Sequence, residues 1–147
     1  MSHITRRDFL KRGTVLAGAL AGSRFVPAAE SAKVKRSATD WVQLGRSRLR
    51  VTRLGIGTGT NGGQVQREMS QEAFTAMIRH AYDRGIRFFD TADNYNEMHE
   101  RLAAALKGID RESYTIQTKM NFHRDQDVNQ TIDRFRKELN SDYFDSF

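Results

Sequence analysis

Three residues of this 147-residue chain could do chemistry together: Asp90, Tyr95 and Lys119. Asp90 closes the apolar run GIRFFD, Tyr95 follows five residues later, and Lys119 closes the run YTIQTK. If both runs are strands of a parallel βα array, their C-terminal ends share one face, where such arrays build active sites. A free tyrosine, with a pKa of about 10, is a poor acid at neutral pH. A neighbouring ammonium favours the phenolate, and an aspartate paired with that ammonium fixes its position. The tyrosine can then donate a proton to a carbonyl oxygen as hydride reaches the carbon. Singly, each residue has an ordinary structural reading: a turn-forming aspartate, a packed tyrosine, a solvated lysine. The combination at these positions favours the chemical one.

A second candidate is LGIGTGTNGG (54–63), in which Gly57, Gly59 and Gly62 spell the dinucleotide fingerprint G-x-G-x-x-G. In a Rossmann domain that fingerprint opens a helix at once, and an acidic residue follows about 20 residues on. Here the next helical pattern starts at Ser70, and Asp90 lies 28 residues after Gly62. The spacing argues against a Rossmann site and for a glycine-rich βα loop.

The elements that must position these residues can be read from periodicity. Trp41–Leu44 and Leu49–Val51 flank a turn at Gly45, which predicts a hairpin. Leu54–Gly57 is a short strand. Phe74, Met77, Ile78, Ala81 and Tyr82 form one helical stripe, with Ser70 as N-cap and Gly85 as the stop. Ile86–Asp90 is a strand, and Met98, Leu102, Ala105 and Leu106 form a second stripe ended by Gly108. Tyr114–Thr118 is a strand rich in β-formers. Val128, Ile132, Phe135 and Leu139 form a third stripe, with Asp125 or Asp127 at its cap, and Tyr143–Phe147 begins a fourth strand. Strand–helix alternation with short links predicts βαβ units and a parallel sheet. His99 and His123 read as surface residues, Lys107 and Arg124 as solvated charges, and Phe88, Phe89 and Phe135 as core. His99-Glu100 lacks a second histidine four residues on, so no zincin site is expected, and no other metal site either.

The net charge of +6 is uneven. Residues 1–28 hold five basic residues against Asp8, which leaves only +2 on the remainder and removes most of the case for nucleic acid. The same segment runs from Thr5-Arg6-Arg7-Asp8-Phe9-Leu10-Lys11 through the apolar GTVLAGALAG (13–22) to Val26-Pro27-Ala28-Ala29. That order resembles a twin-arginine export signal over residues 1–29, cleaved after Ala28 or Ala29, and its apolar run is far shorter than the roughly 20 residues of a membrane span. The signal implies the twin-arginine export machinery as a partner and the periplasm as destination. Residues 30–40 are polar and aperiodic, as in a linker. Cysteine is absent, so neither disulfides nor thiolate metal sites are available.

Over residues 41–147 the chain resembles the aldo-keto reductase superfamily. The resemblance is carried by VQLGRSRLRVTRLG (42–55), LGIGTG (54–59), HAYDRGIRFFDTA (80–92), FDTADNY (89–95), Thr118-Lys119 and DRFRKELNSDYFDSF (133–147). It implies an α/β fold of the (β/α)8 TIM-barrel type, with the first three βα units and the start of strand 4 in this chain. It implies reduction of a small-molecule carbonyl with a nicotinamide cofactor, NADP(H) commonly and NAD(H) as the alternative. Tyr95 would be the general acid, supported by Lys119 and Asp90. Gly57, Thr58 and Gly59 would lie beside the nicotinamide, with Asp90 at the same edge. The glycine common after the family's tyrosine is Asn96 here, so NEMHE (96–100) is expected to reshape the loop framing the substrate. A whole barrel needs roughly 250 residues, and the family's catalytic histidine and most of its phosphate contacts would fall beyond Phe147. The alternative expectation is therefore a truncated, non-catalytic remnant, or a nucleotide-sensing or partner-binding module of the same fold.

Overall fold

The computed structural model describes residues 35–147 apart from 122 and 124, so the expected export signal (1–29), the first part of the expected linker and Arg124 lie outside the described residues. Within them, an antiparallel hairpin precedes a three-stranded parallel sheet. The hairpin pairs β1 (Trp41–Gln43) with β2 (Arg50–Thr52), with Val42 opposite Val51. Gly45 turns the corner at φ 58°, where a side chain would be strained. The polar segment before the hairpin is more ordered than a linker requires. The carbonyls of Ala38 and Asp40 accept from Leu54 and Arg53 and extend the pairing.

The parallel sheet has the order β3 (Ile56–Gly57), β4 (Phe88–Asp90), β5 (Thr115–Gln117). Neighbours in space are neighbours in sequence, so the strand order never reverses. A doubly wound nucleotide fold places its crevice at such a reversal, and the strands among the described residues form none. The sheet is open, and beyond β5 the carbonyl of Ser146 accepts from Thr118 as a parallel bridge between Gln117 and Ser146 begins.

Local chemistry explains the helices that cover one face. A one-turn helix, α1 (Gln64–Arg67), sits inside the glycine loop, where the sequence pattern shows none. α2 (Gln71–Asp83) is capped by Ser70, whose hydroxyl accepts from the Ala73 amide at 3.2 Å, and stops at Gly85, φ 92°. α3 (Met98–Leu106) ends before Gly108, φ 81°. A 3-10 turn, Arg111–Ser113, leads into β5. α4 (Val128–Glu138) is capped by Asp127, which accepts from the amides of Asn129 and Gln130. Its buried face departs from the expected stripe: Thr131, Phe135 and Leu139 are buried, and Val128 is exposed.

Phe74 and Ile78 from α2, Leu102 and Ala105 from α3, and Phe89 and Ile116 from the sheet form the core. Full burial of one such side chain contributes about 1.5–3 kcal/mol. The register Ile56↔Phe89↔Ile116 puts these three on the helix-covered face. Phe88 turns the other way, is half-buried, and packs against Gly55, where a Cβ would lie 2.7 Å from its ring.

The strand-end residues Thr58, Thr91 and Thr118 form a fully buried row on the helix side. Thr58 donates to the Asp90 carbonyl and Thr118 meets His99, whereas the Thr91 hydroxyl has no partner among the described residues. Replacing it by a methyl group removes an unpaired buried hydroxyl. Thr91→Val should therefore stabilise by about 1 kcal/mol, or a few degrees of Tm, while Thr58→Val should lower Tm; calorimetry of both variants checks the opposite signs.

Candidate functional site

Parallel pairing aligns Gly57, Asp90 and Gln117 in one row across the sheet. Side chains alternate along a strand, so this row faces away from the helices, and Lys119, two residues beyond Gln117, faces the same way. The Lys119 ammonium lies 2.5 Å from Asp90 Oδ1. Their side chains remain 41% and 32% exposed, so the pair is open to a ligand. The ammonium is also 5.6 Å from the centroid of the Tyr95 ring, within cation–π range. Asp90, Tyr95 and Lys119 are thus brought together as the sequence predicts.

Tyr95 is held by backbone rather than by its hydroxyl, which has no hydrogen-bond partner among the described residues. Its amide donates to the Ala92 carbonyl, its carbonyl accepts from Met98, and Asp93 two residues earlier donates its amide to the Lys119 carbonyl at 2.9 Å. The ring lies against the glycine loop. A Cβ at residue 59 would come 2.7 Å from the Tyr95 hydroxyl oxygen and closer still to its ring carbons, so any side chain there would displace the Tyr95 ring.

The three fingerprint glycines therefore do different work. Gly59 admits the Tyr95 ring. Gly62 adopts φ 62°, beside Gly63 at φ 84° and Asn61 at φ 50°. Gly57 leaves open space, since a Cβ there would meet nothing within 4 Å. Because Gly57 pairs with Asp90, that space adjoins the carboxylate on the exposed face. Thr58 points the other way, its amide and hydroxyl donating to the Asp90 carbonyl at 2.9 and 3.2 Å. Its side chain braces the strand end, and only its backbone edge is available to a ligand.

His99 differs from the surface reading. It is 3% exposed, and its ring packs at 4.7 Å on Phe135. Nδ1 lies 2.7 Å from Glu138 Oε2 and Nε2 lies 2.8 Å from Thr118 Oγ1. A signal was present: His99, Leu102 and Leu106 recur at i, i+3 and i+7, which puts the histidine on the buried stripe of α3. Arg134 forks between Glu138 Oε1 and Asp93 Oδ1, at 2.9 and 2.8 Å. Burial works against its charge, yet these two carboxylate contacts outweigh it and hold its pKa above the ordinary value. His123 and Lys107 are exposed as expected.

A concavity of about 890 Å³ lies elsewhere, between the C-terminal ends of α3 and α4 with Lys107, Arg111 and Lys137 in its wall. A smaller one, about 270 Å³, lies behind the Tyr95 loop beside Asp93, His99 and Arg134. Among the described residues, no cluster of histidines and carboxylates could hold a metal, and no helix is long and apolar enough to cross a membrane.

A family model described as the aldo/keto reductase family matches residues 53–147. A Glycine max protein named as an aldo-keto reductase is 35% identical over 80 residues, 53% of this chain and 23% of that protein. A Saccharomyces cerevisiae protein named as an aryl-alcohol dehydrogenase is 33% identical over 107 residues, 65% of this chain and 31% of that protein. Among solved structures, an aldo-keto reductase from Pseudomonas aeruginosa superposes with TM-score 0.62 and 28% identity, over 74% of this chain and 46% of that one. The holo form of aldo-keto reductase AKR11C1 from Bacillus halodurans gives TM-score 0.60 and 25% identity, over 73% and 38%. The chain spans about a quarter to a third of the length of these curated relatives.

The contact between Gly59 and Tyr95 is testable by itself. Gly59→Ala should destabilise by about 1–3 kcal/mol through overpacking. In a Tyr95→Ala background most of that loss should disappear, and denaturant melts of the four proteins measure the coupling.

Proposed function

Since the chain belongs to the aldo/keto reductase family, we propose that it carries the catalytic acid of a nicotinamide-dependent carbonyl oxidoreductase. We read the three parallel strands as the first arc of a (β/α)8 barrel, with Asp90 and Lys119 at the C-terminal strand ends, the end that bears active sites in such barrels. The observation that carries the proposal is the Asp90–Lys119 pair beside Tyr95, on the face where Gly57 leaves room.

The residues present suit the nicotinamide end of a dinucleotide. The absent side chain at Gly57 makes space next to Asp90, and the backbone edge of Gly57–Gly59 with Asp90 would hold the ring there. NADPH is the expected form and NADH the alternative; the bound nicotinamide supplies hydride to the carbonyl carbon. Tyr95 hydrogen-bonds the substrate's carbonyl oxygen and donates its proton as negative charge develops there. The Lys119 ammonium stabilises the resulting phenolate. Asp90 keeps Lys119 from swinging into solvent, and the phenolate regains its proton from water. The product is the alcohol. The substrate is a small aldehyde or ketone, framed in part by the loop at Asn96 and Glu97.

We further propose that residues 1–29 direct export through the twin-arginine machinery to the periplasm. That route translocates proteins already folded, so a cofactor could travel bound.

Tyr95→Phe in the full-length protein should lower the rate of NADPH oxidation with model aldehydes by about 10²- to 10⁴-fold; an unchanged rate would remove Tyr95 from the chemistry. Replacing both Arg6 and Arg7 by lysine should leave the uncleaved protein in the cytoplasm, as fractionation and immunoblotting would show. Export of that variant at the normal level would contradict the signal reading.

A further inference from the structure

His99 takes no direct part in the chemistry just proposed, yet it is a buried titratable side chain one turn from the Tyr95 loop. The hydrogen bonds around it close into a ring. Thr118 Oγ1 meets His99 Nε2 at 2.8 Å, and His99 Nδ1 meets Glu138 at 2.7 Å. Glu138 accepts from Arg134, and Arg134 donates to Asp93. The Asp93 amide returns to the carbonyl of Lys119, the residue next to Thr118. The ring therefore ties the end of β5, which bears Lys119, to the loop that bears Tyr95, with α3 and α4 as its fixed frame.

The donors and acceptors assign the ring's direction. A carboxylate only accepts, so Nδ1 carries a hydrogen toward Glu138. Nε2 faces a hydroxyl, which can donate to a neutral ring or accept from a charged one. Thr118 is thus a partner in either protonation state, as suits a strut rather than a proton donor. The ring is also locked from the side by Phe135.

We propose that His99 is a positioning residue that sets the distance between Lys119 and Tyr95. The inference rests on the catalytic reading above for its effect on rate, and on geometry alone for its effect on structure. A displacement of about 1 Å at a reacting group can cost up to a hundredfold, so a braced strand end is worth having beside a flexible lysine.

The test compares His99→Leu, His99→Gln and Leu102→Ala in the full-length protein. Leu102 is a fully buried core residue of the same helix and serves as a control for general destabilisation. His99→Leu should lower kcat by about tenfold with little change in carbonyl KM. His99→Gln, whose amide can still reach Thr118, should recover part of that loss. Leu102→Ala should lower Tm and leave kcat at low temperature unchanged. In parallel, amide hydrogen exchange at Asp93 should speed up in His99→Leu well beyond its change in Leu102→Ala. If the wild type turns over and His99→Leu matches it, positioning is overturned while the catalytic reading stands. If the wild type shows no turnover, the catalytic reading fails. Exchange at Asp93 then decides the strut alone: selective loosening supports it, and a change no greater than in Leu102→Ala overturns it.

Discussion

The pairing of Ile56 with Phe89 and of Phe89 with Ile116 sets the register of the parallel sheet, and the site depends on that register. These three side chains are drawn under the helices because burial of apolar surface is the dominant favourable term in folding. Alternation then leaves their neighbours no choice. Gly57, Asp90 and Lys119 must face the open side, and Thr58, Thr91 and Thr118 must face the helices. A slip of one residue in any strand would exchange the two sets. The ion pair and the buried threonine row are thus two results of one hydrophobic constraint. The ion pair itself is half in solvent and contributes little to stability; its value lies in where it points.

Tyr95 is positioned by different means. Its loop is short and turns through Glu97, a non-glycine residue at φ 64°. Such a conformation costs about 1–2 kcal/mol. It is held by the hydrogen bonds of Met98 to Tyr95 and of Arg101 to Glu97. The ring then needs a surface without a side chain, which Gly59 provides. The glycine loop and the tyrosine loop fit each other, so a side chain added at residue 59 would move the Tyr95 ring.

Much of this arrangement was legible in the sequence. Ser70, Gly85 and Gly108 mark helix ends by their own chemistry, and Asp90 and Lys119 close runs rich in β-forming residues. Such signals are local, and local signals survive in a linear reading. His99 shares the helical spacing of Leu102 and Leu106, which marks its burial, but its hydrogen bonds were not legible because its partners Thr118 and Glu138 lie 19 and 39 residues away. The orientation of α4 was ambiguous for a similar reason. Val128 and Thr131 both fit a helical stripe with Phe135, and only the position of the sheet beneath selects between them. The one-turn α1 carries too few residues to show a period at all.

The short reach of the site's long-range contacts has a consequence for how the protein is made. Thr58 meets Asp90 across 32 residues, Asp90 meets Lys119 across 29, and His99 meets Glu138 across 39. Each link closes about one βα unit, and none waits for the chain's two ends to find each other. A ribosome adds residues at about 5–20 per second and domains organise from the N-terminal side. The stretch from Thr58 to Glu138 therefore takes about 4–16 seconds to synthesise. Asp90, Lys119 and the hydrogen bonds around His99 are therefore closed by contacts about one βα unit apart. The order of the genetic message is also the order in which the site is built.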